Sequence, residues 1–454
     1  MEKMFDRFLT AKRFRDSKVS ATDYRNPFEN DFTRVIFSAA FRRLQDKTQV
    51  FQLDKGDFVR TRLTHSLEVS SLGRSIGLSV EKRLIEKNLL SEEKAGYIPS
   101  VLATAGLVHD LGNPPFGHFG EDSMRWFFKN LFENNPKIAG ELNDQQKNDF
   151  LYFDGNVQTF RVLRTLHYVR DRDGMNLTHA VLATLIKYPF NSLEGNKKNK
   201  GLARKKFGFF YSEENDYRDI QKTLGLREGR FPLTPLLEAA DDIAYCVADI
   251  EDACKKGILT KEIIEACLLE KFKDGMFLSA QERDFNLIKD FTDVYDNISP
   301  SYKNRLEIAV QQFRIRVQSF MINAAIDQYT ENVEKIVSGE YDADILENSY
   351  CSNTVSALKG IGTEKIFKHK SILENEIIGF NIINYILEQI IPATLKSDNP
   401  IAGRIYEMIS SNYRFIYETL SERTVYDKLQ LAADYLCGMT DNFALKLYRK
   451  WKGN

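Results

Sequence analysis

Apolar residues recur along most of this chain at the intervals of a helix face. Val69, Leu72, Ile76 and Val80 fall at i, i+3, i+7 and i+11, and Val101, Ala105 and Val108 at i, i+4 and i+7. Leu237, Ala240, Ala244 and Val247 fall at i, i+3, i+7 and i+10. Such sets line one side of an α-helix. The segment ENEIIGFNIINYILEQII (374–391) is apolar over most of its circumference and predicts a helix inside a bundle. Strand-like alternation is scarce. KFGFFY (206–211) is one short candidate, half of a small hairpin. The pattern predicts a mainly α fold with at most that hairpin.

Breaks in the pattern are few. Asn113-Pro114-Pro115 ends the helix before it, and Thr234 and Pro235 read as the N-cap and first residue of another. GNKKNKG (195–201) is polar and turn-rich, and NISPS (297–301) reads as a linker. The expected division is 1–296, an N-terminal segment with the chemistry-bearing core, and 297–454, a C-terminal helical region. There is no internal repeat and no low-complexity tract.

The chain has 454 residues, 28% of them charged, and a net charge of −1, so bulk electrostatics favours neither nucleic acid nor membrane. Apolar residues at 43% suffice for a large core. The five cysteines, Cys246, Cys254, Cys267, Cys351 and Cys437, are widely spaced and odd in number, which predicts reduced thiols in the cytoplasm. The N-terminus is basic without the apolar stretch of a signal peptide, and no run was expected to reach the ~18 apolar residues of a membrane span.

Candidate chemistry gathers in VHDLGNPPFGHFGE (108–121), which holds two of the six histidines. Adjacent side chains diverge by about 100° on a regular helix, but His109 and Asp110 sit where a helix ends and the backbone bends. An imidazole beside a carboxylate begins a divalent metal site. His65, with Arg62 on the same face, is a further candidate. Another comes from EAADDIAYCVADIEDA (238–253), where Asp241 or Asp242 would complete two nitrogens and two oxygens. Asp241, Tyr245 and Asp249, spaced by four, form one polar stripe suited to an elongated polar ligand. His118 and Glu121 are three apart, so the carboxylate can favour the imidazolium and make His118 a general acid. An isolated histidine on a helix is more often structural, and that reading is kept for His167, His179 and His369.

The order His, His-Asp, Asp is the signature of the HD superfamily of metal-dependent phosphohydrolases. RNPFENDFTRVIFSAAFRRLQDKTQVF (25–51), RTRLTHSLEV (60–69), HDLGNPPFGHFGE (109–121) and LLEAADDIAYCVADIEDA (236–253) resemble the bacterial deoxyguanosinetriphosphate triphosphohydrolase family. KHKSILENEIIGF (368–380) and DYLCGMTDNFA (434–444) resemble that family's C-terminal helical region. The resemblance implies an HD-domain helical core and hydrolysis of a deoxynucleoside triphosphate, dGTP first, to deoxynucleoside and tripolyphosphate. It implies a divalent ion among Mn, Mg, Fe, Co and Ni, and a homo-oligomer such as a hexamer. It assigns His65, His109, Asp110 and Asp241 to the metal, favouring Asp241 over Asp242, and gives His118 and Glu121 catalytic roles. Gln49 falls where the family contacts the base, Lys187 and Tyr188 where it holds phosphates or sugar, and Tyr245 and Asp249 where it reads the sugar. Arg62 is expected to offset phosphate charge.

The rival expectations are an HD-type nucleotidase acting on deoxynucleoside monophosphates and a nucleotide-sensing or nucleic-acid-binding relative. A deoxynucleotide activator is a further partner left open by the resemblance. Lys197, Lys198, Lys200, Arg204, Lys205 and Lys206 form a basic cluster whose bland reading is a solvated loop and whose functional reading is a single-stranded DNA contact.

Overall fold

The computed structural model describes residues 3–17, 22–54, 56–167, 173–195, 201–272 and 286–453. Its principal helices are α1 (Pro27–Ile36), α2 (Arg62–Glu86), α3 (Tyr97–Val108), α4 (Gly117–Asn134), α5 (His179–Leu185), α6 (Thr234–Lys255), α7 (Arg305–Glu331), α8 (Lys370–Thr394), α9 (Val425–Cys437) and α10 (Asp441–Lys452). The chain is helical overall, with no strand among the described residues beyond an isolated bridge between Thr48 and Thr61. The hairpin expected at 206–211 is absent. Phe207, Phe209 and Phe210 are all buried, so the pattern marked an inward-packed loop rather than one face of a sheet.

Two hydrophobic cores organise the helices. The first draws on α1, α2, α3, α5, α6 and α7 together with Ile372 at the start of α8, and the second on α4, the rest of α8, α9 and α10. The stretch 297–301, which reads as a linker, breaks the helical run, and the first core continues past it through Val310 and Phe313 to Ile372. Helix α2 begins at Thr61, whose side chain accepts from the Thr64 amide in a capping box. Helix α3 is buried on nearly every side, as its composition requires. It approaches α2 so closely that a Cβ on Gly106 would lie 2.7 Å from the Ser70 backbone. Helix α6 starts one residue earlier than the cap pattern suggested, with Leu233 at the N-cap and Thr234 inside the helix.

Helix α8 corrects a further expectation, because by length and composition it is apolar enough to cross a membrane. Its Ile382, Ile383, Ile386, Leu387, Ile390 and Ile391 are instead buried in the second core. That placement matches the bundle interior read from its sequence. His369, expected to be structural, caps α8 by accepting from the Ser371 amide.

The segment from His109 to His118 runs between the two cores. Leu111 belongs to the first and Phe116 to the second. The bend forced by Gly112-Asn113-Pro114-Pro115 thus carries the chain from the end of α3 to the start of α4, with a candidate ligand at one end and a candidate acid at the other.

Candidate metal centre and active site

His65 lies in the first turn of α2, His109 at the C-cap of α3, Asp110 just beyond it and Asp241 in α6. One ligand atom each of His65, His109 and Asp110 lies within 4.8 Å of the others. Asp241 meets both rings, with Oδ1 3.0 Å from His65 Nε2 and 3.5 Å from His109 Nε2. His109 Nε2 is also 3.7 Å from Asp110 Oδ1. Its Nδ1 donates to the Gly106 carbonyl at 2.8 Å, which fixes the tautomer and leaves a lone pair on Nε2. That Nε2 is buried and accepts no hydrogen bond. A buried lone pair facing two carboxylates costs free energy unless something fills the position. The donor set therefore fits a divalent cation bound by nitrogen and oxygen.

The carboxylates are held ionised. Burial alone would raise Asp110, but the Arg62 guanidinium and the two imidazoles outweigh it and keep the carboxyl well below its ordinary range. Arg62 reaches Asp110 Oδ2 at 2.5 Å, and the Asn113 amide donates to Oδ1 at 2.6 Å. Asp241 is likewise depressed, its burial outweighed by His109, His65 and Lys187. Lys187 Nζ lies 3.6 Å from Asp241 Oδ2. Burial opposes charge on His109, but Asp110 and Asp241 overcome it and raise its pKa. Asp242 turns the other way and pairs with Lys359 at 2.8 Å. Only Asp241 of the two candidate aspartates thus faces the histidines.

His118 is placed differently. Its ring is 84% exposed, and Nδ1 is 3.4 Å from Glu121 Oε2. Glu121 is itself anchored, accepting from the Gly155 amide at 2.7 Å and from Arg125 Nη2 at 3.3 Å. The Glu121 hydrogen bond raises the pKa of His118 above the ordinary imidazole value. The outcome is an exposed imidazole on an anchored carboxylate.

Gln49, Tyr188, Tyr245 and Asp249 make no hydrogen bond to this cluster among the described residues. Gln49 is brought beside the start of α2 by the Thr48–Thr61 bridge, and its Oε1 is buried without a partner. Tyr188 follows Lys187 in the turn after α5 and is half-buried. Tyr245 and Asp249 continue the Asp241 stripe along α6. Burial and the neighbouring Asp252 push Asp249 up to about 8, so it stands protonated at neutral pH and can donate as well as accept.

Residues 62–185 match the HD domain model. The chain is 40% identical to a deoxyguanosinetriphosphate triphosphohydrolase-like protein of Listeria monocytogenes, with 99% of each chain covered. The chain belongs to the deoxyguanosinetriphosphate triphosphohydrolase-like family. A Synechocystis member is 30% identical over 99% of each chain. A Klebsiella pneumoniae protein, named deoxyguanosinetriphosphate triphosphohydrolase, is 31% identical over 97% of this chain and 96% of its own. As an HD-domain member of this family, the chain is a hydrolase.

Two sets of contacts beside the site were not marked by the sequence. Arg60 is bound to Glu68, Glu251 and Asp252, which locks the start of α2 to α6. Lys47 is buried and donates to the carbonyls of Asn113 and Cys437. A lysine in a short loop reads as exposed, so nothing in its sequence context marked it. Of the basic cluster, Lys197, Lys198 and Lys200 lie outside the described residues. Lys206 pairs with Asp154, and Arg204 stacks on Phe190 and pairs with Glu228.

Proposed function

We propose that this chain hydrolyses a deoxynucleoside triphosphate, with dGTP the first candidate, to the deoxynucleoside and tripolyphosphate. The observation that carries the reading is the buried Nε2 lone pair of His109, facing Asp110 and Asp241 beside His65. His65, His109, Asp110 and Asp241 would hold a divalent cation. When bound, the cation offsets phosphate charge and eases ionisation of a water.

The chain's own groups supply the rest. At neutral pH the triphosphate carries about four negative charges. Arg62 and Lys187, each on a ligand carboxylate, add positive charge at that end of the site. A water oxygen attacks the α-phosphorus as the P–O5′ bond breaks, and His118, whose pKa Glu121 raises, donates its proton to the departing O5′, so the α-phosphate leaves with the other two as tripolyphosphate. Asp249 hydrogen-bonds the 3′-hydroxyl, and Tyr245 packs on the sugar where a 2′-hydroxyl would clash. Gln49 and Tyr188 read base and sugar.

The test is to incubate purified protein and each candidate metal with every deoxynucleoside triphosphate, singly and in pairs, and to separate the products by ion exchange. Tripolyphosphate supports the proposal. Orthophosphate from monophosphates favours the nucleotidase alternative, and binding without turnover favours a sensor. Acceleration only in paired incubations identifies an activating deoxynucleotide.

A further inference from the structure

The peptide that launches His118 is clamped by the other end of the chain. Phe116, two residues before His118, has φ +64°, a conformation that crowds the Cβ of any residue but glycine. Its surroundings must impose it. Asp441, the first residue of α10, accepts from the Phe116 amide through Oδ1 at 3.0 Å. Through Oδ2 it accepts from the Thr48 amide at 3.0 Å and from the Thr48 hydroxyl. Gln52 Nε2 donates to the Phe116 carbonyl at 3.0 Å. In α8, a Cβ on Gly379 would lie 2.8 Å from the Phe116 ring, so this helix closes on the same residue.

Lys47 holds the other side of the bend. Its Nζ donates to the Asn113 carbonyl at 2.6 Å and to the Cys437 carbonyl at 2.7 Å, where α9 ends. The Asn113 side chain in turn donates to Asp110. The segment 46–48 and the start of α10 are joined again by Asp46, which accepts from the Thr440 hydroxyl. Both ends of the bend, one beside Asp110 and one beside His118, are therefore fixed by a single network joining residues 46–52 to the last helices.

The geometry points to Asp441 as a positioning residue for His118, with Lys47 and Gln52 as its partners. The C-terminal helices then set the separation between the metal-binding end and the proton donor, rather than serving only as scaffold. This inference rests on the acid role proposed for His118.

Asp441→Asn replaces one accepting oxygen with an NH2 group that cannot accept, so either Phe116 or Thr48 loses its partner. With dGTP as probe, kcat is expected to fall roughly ten- to hundredfold, the scale of a small misplacement in an otherwise intact site. KM and bound metal, measured on the same preparation, should not change. In a His118→Ala background the same substitution should cost nothing more, because residues acting through one group are not additive. Additive losses, or loss of metal together with kcat, overturn the inference. If His118→Ala lowers kcat and Asp441→Asn does not, the clamp alone is refuted. If His118→Ala has no effect, the acid assignment fails first and the clamp's purpose with it. Should Asp441→Asn not fold, Gln52→Met loosens the same peptide from its carbonyl side and carries the same expectations.

Discussion

His109 Nδ1 lies 2.8 Å from the Gly106 carbonyl oxygen, one turn back in the same helix, and this bond decides which nitrogen faces the carboxylates. A helix end leaves carbonyls unpaired, and here one of them orients a candidate metal ligand. His109→Ala should therefore lose both the bound ion, measured by metal analysis, and turnover. Gly106→Ala keeps the ligand but drives a Cβ to 2.7 Å from the Ser70 backbone. It should separate α2 from α3 and weaken metal affinity on the ~10–100-fold scale of perturbed outer-shell contacts. A His109→Ala protein that retains stoichiometric metal would refute the assignment.

The His118–Glu121 pair makes a prediction in pH. Glu121 raises the His118 pKa by hydrogen-bonding its charged form. An acid catalyst works while protonated, so kcat should hold at low pH and fall as pH rises through the raised value. Glu121→Gln removes the carboxylate, lowers the pKa, and should move this falling limb to lower pH. His118→Ala should reduce kcat by ~10²–10⁴, the usual contribution of a general acid, while bound metal stays constant. A limb that stays in place in Glu121→Gln would detach the carboxylate from the proton donor.

Much of this site could be read from the letters, and the reasons are local. His65 and His109 lie on strongly periodic helices, spacing left Asp241 and Asp242 open until the resemblance favoured Asp241, and the Gly-Asn-Pro-Pro bend after Asp110 was written in turn chemistry. The contacts that cross between the two cores were not legible. Asp441 reads as an acid complementing a helix N-terminus, and only the fold brings it to Phe116 and Thr48. KFGFFY misled because period-two alternation also describes an extended loop whose phenylalanines all turn inward. Helix α8 is long and apolar enough to cross a membrane, yet it lies in the bundle interior that its sequence predicts, because a helix buried inside a protein and one buried in lipid meet the same compositional demand.

The adjacent aspartates of α6 offer a sharper discrimination than alanine scanning of the whole site. Asp241 faces both histidines, while Asp242 pairs with Lys359, and burial pushes Asp242 up to about 6 despite that lysine. Asp241→Asn should abolish metal binding and turnover. Asp242→Asn should keep both, and its effect on stability should be small because an already weakened charge is being removed. Loss of metal in Asp242→Asn with retention in Asp241→Asn would reverse the ligand choice.

Asp149 gives a prediction independent of the active site. It is fully buried and accepts through Oδ2 from the Tyr211 amide at 2.8 Å and the Tyr426 hydroxyl at 2.7 Å. The Ser192 hydroxyl is 2.6 Å from Oδ1 and also 2.9 Å from the Gln145 carbonyl. One hydroxyl proton cannot serve both, so a protonated Oδ1 donating to Ser192 satisfies every group. Burial accordingly raises the Asp149 pKa from 3.8 to about 7. A raised folded-state value favours folding below the unfolded pKa, and that contribution is lost as pH rises through about 7. The slope should approach about 1.4 kcal/mol per pH unit, the equivalent of one proton. Asp149→Asn reproduces the protonated geometry, with its amide donating to Ser192, and has nothing to ionise. Scanning calorimetry should find the variant close to the parent near pH 4 and increasingly more stable than it up to pH 7. A variant that keeps the parent's slope between those values would show that Asp149 is ionised in its buried network.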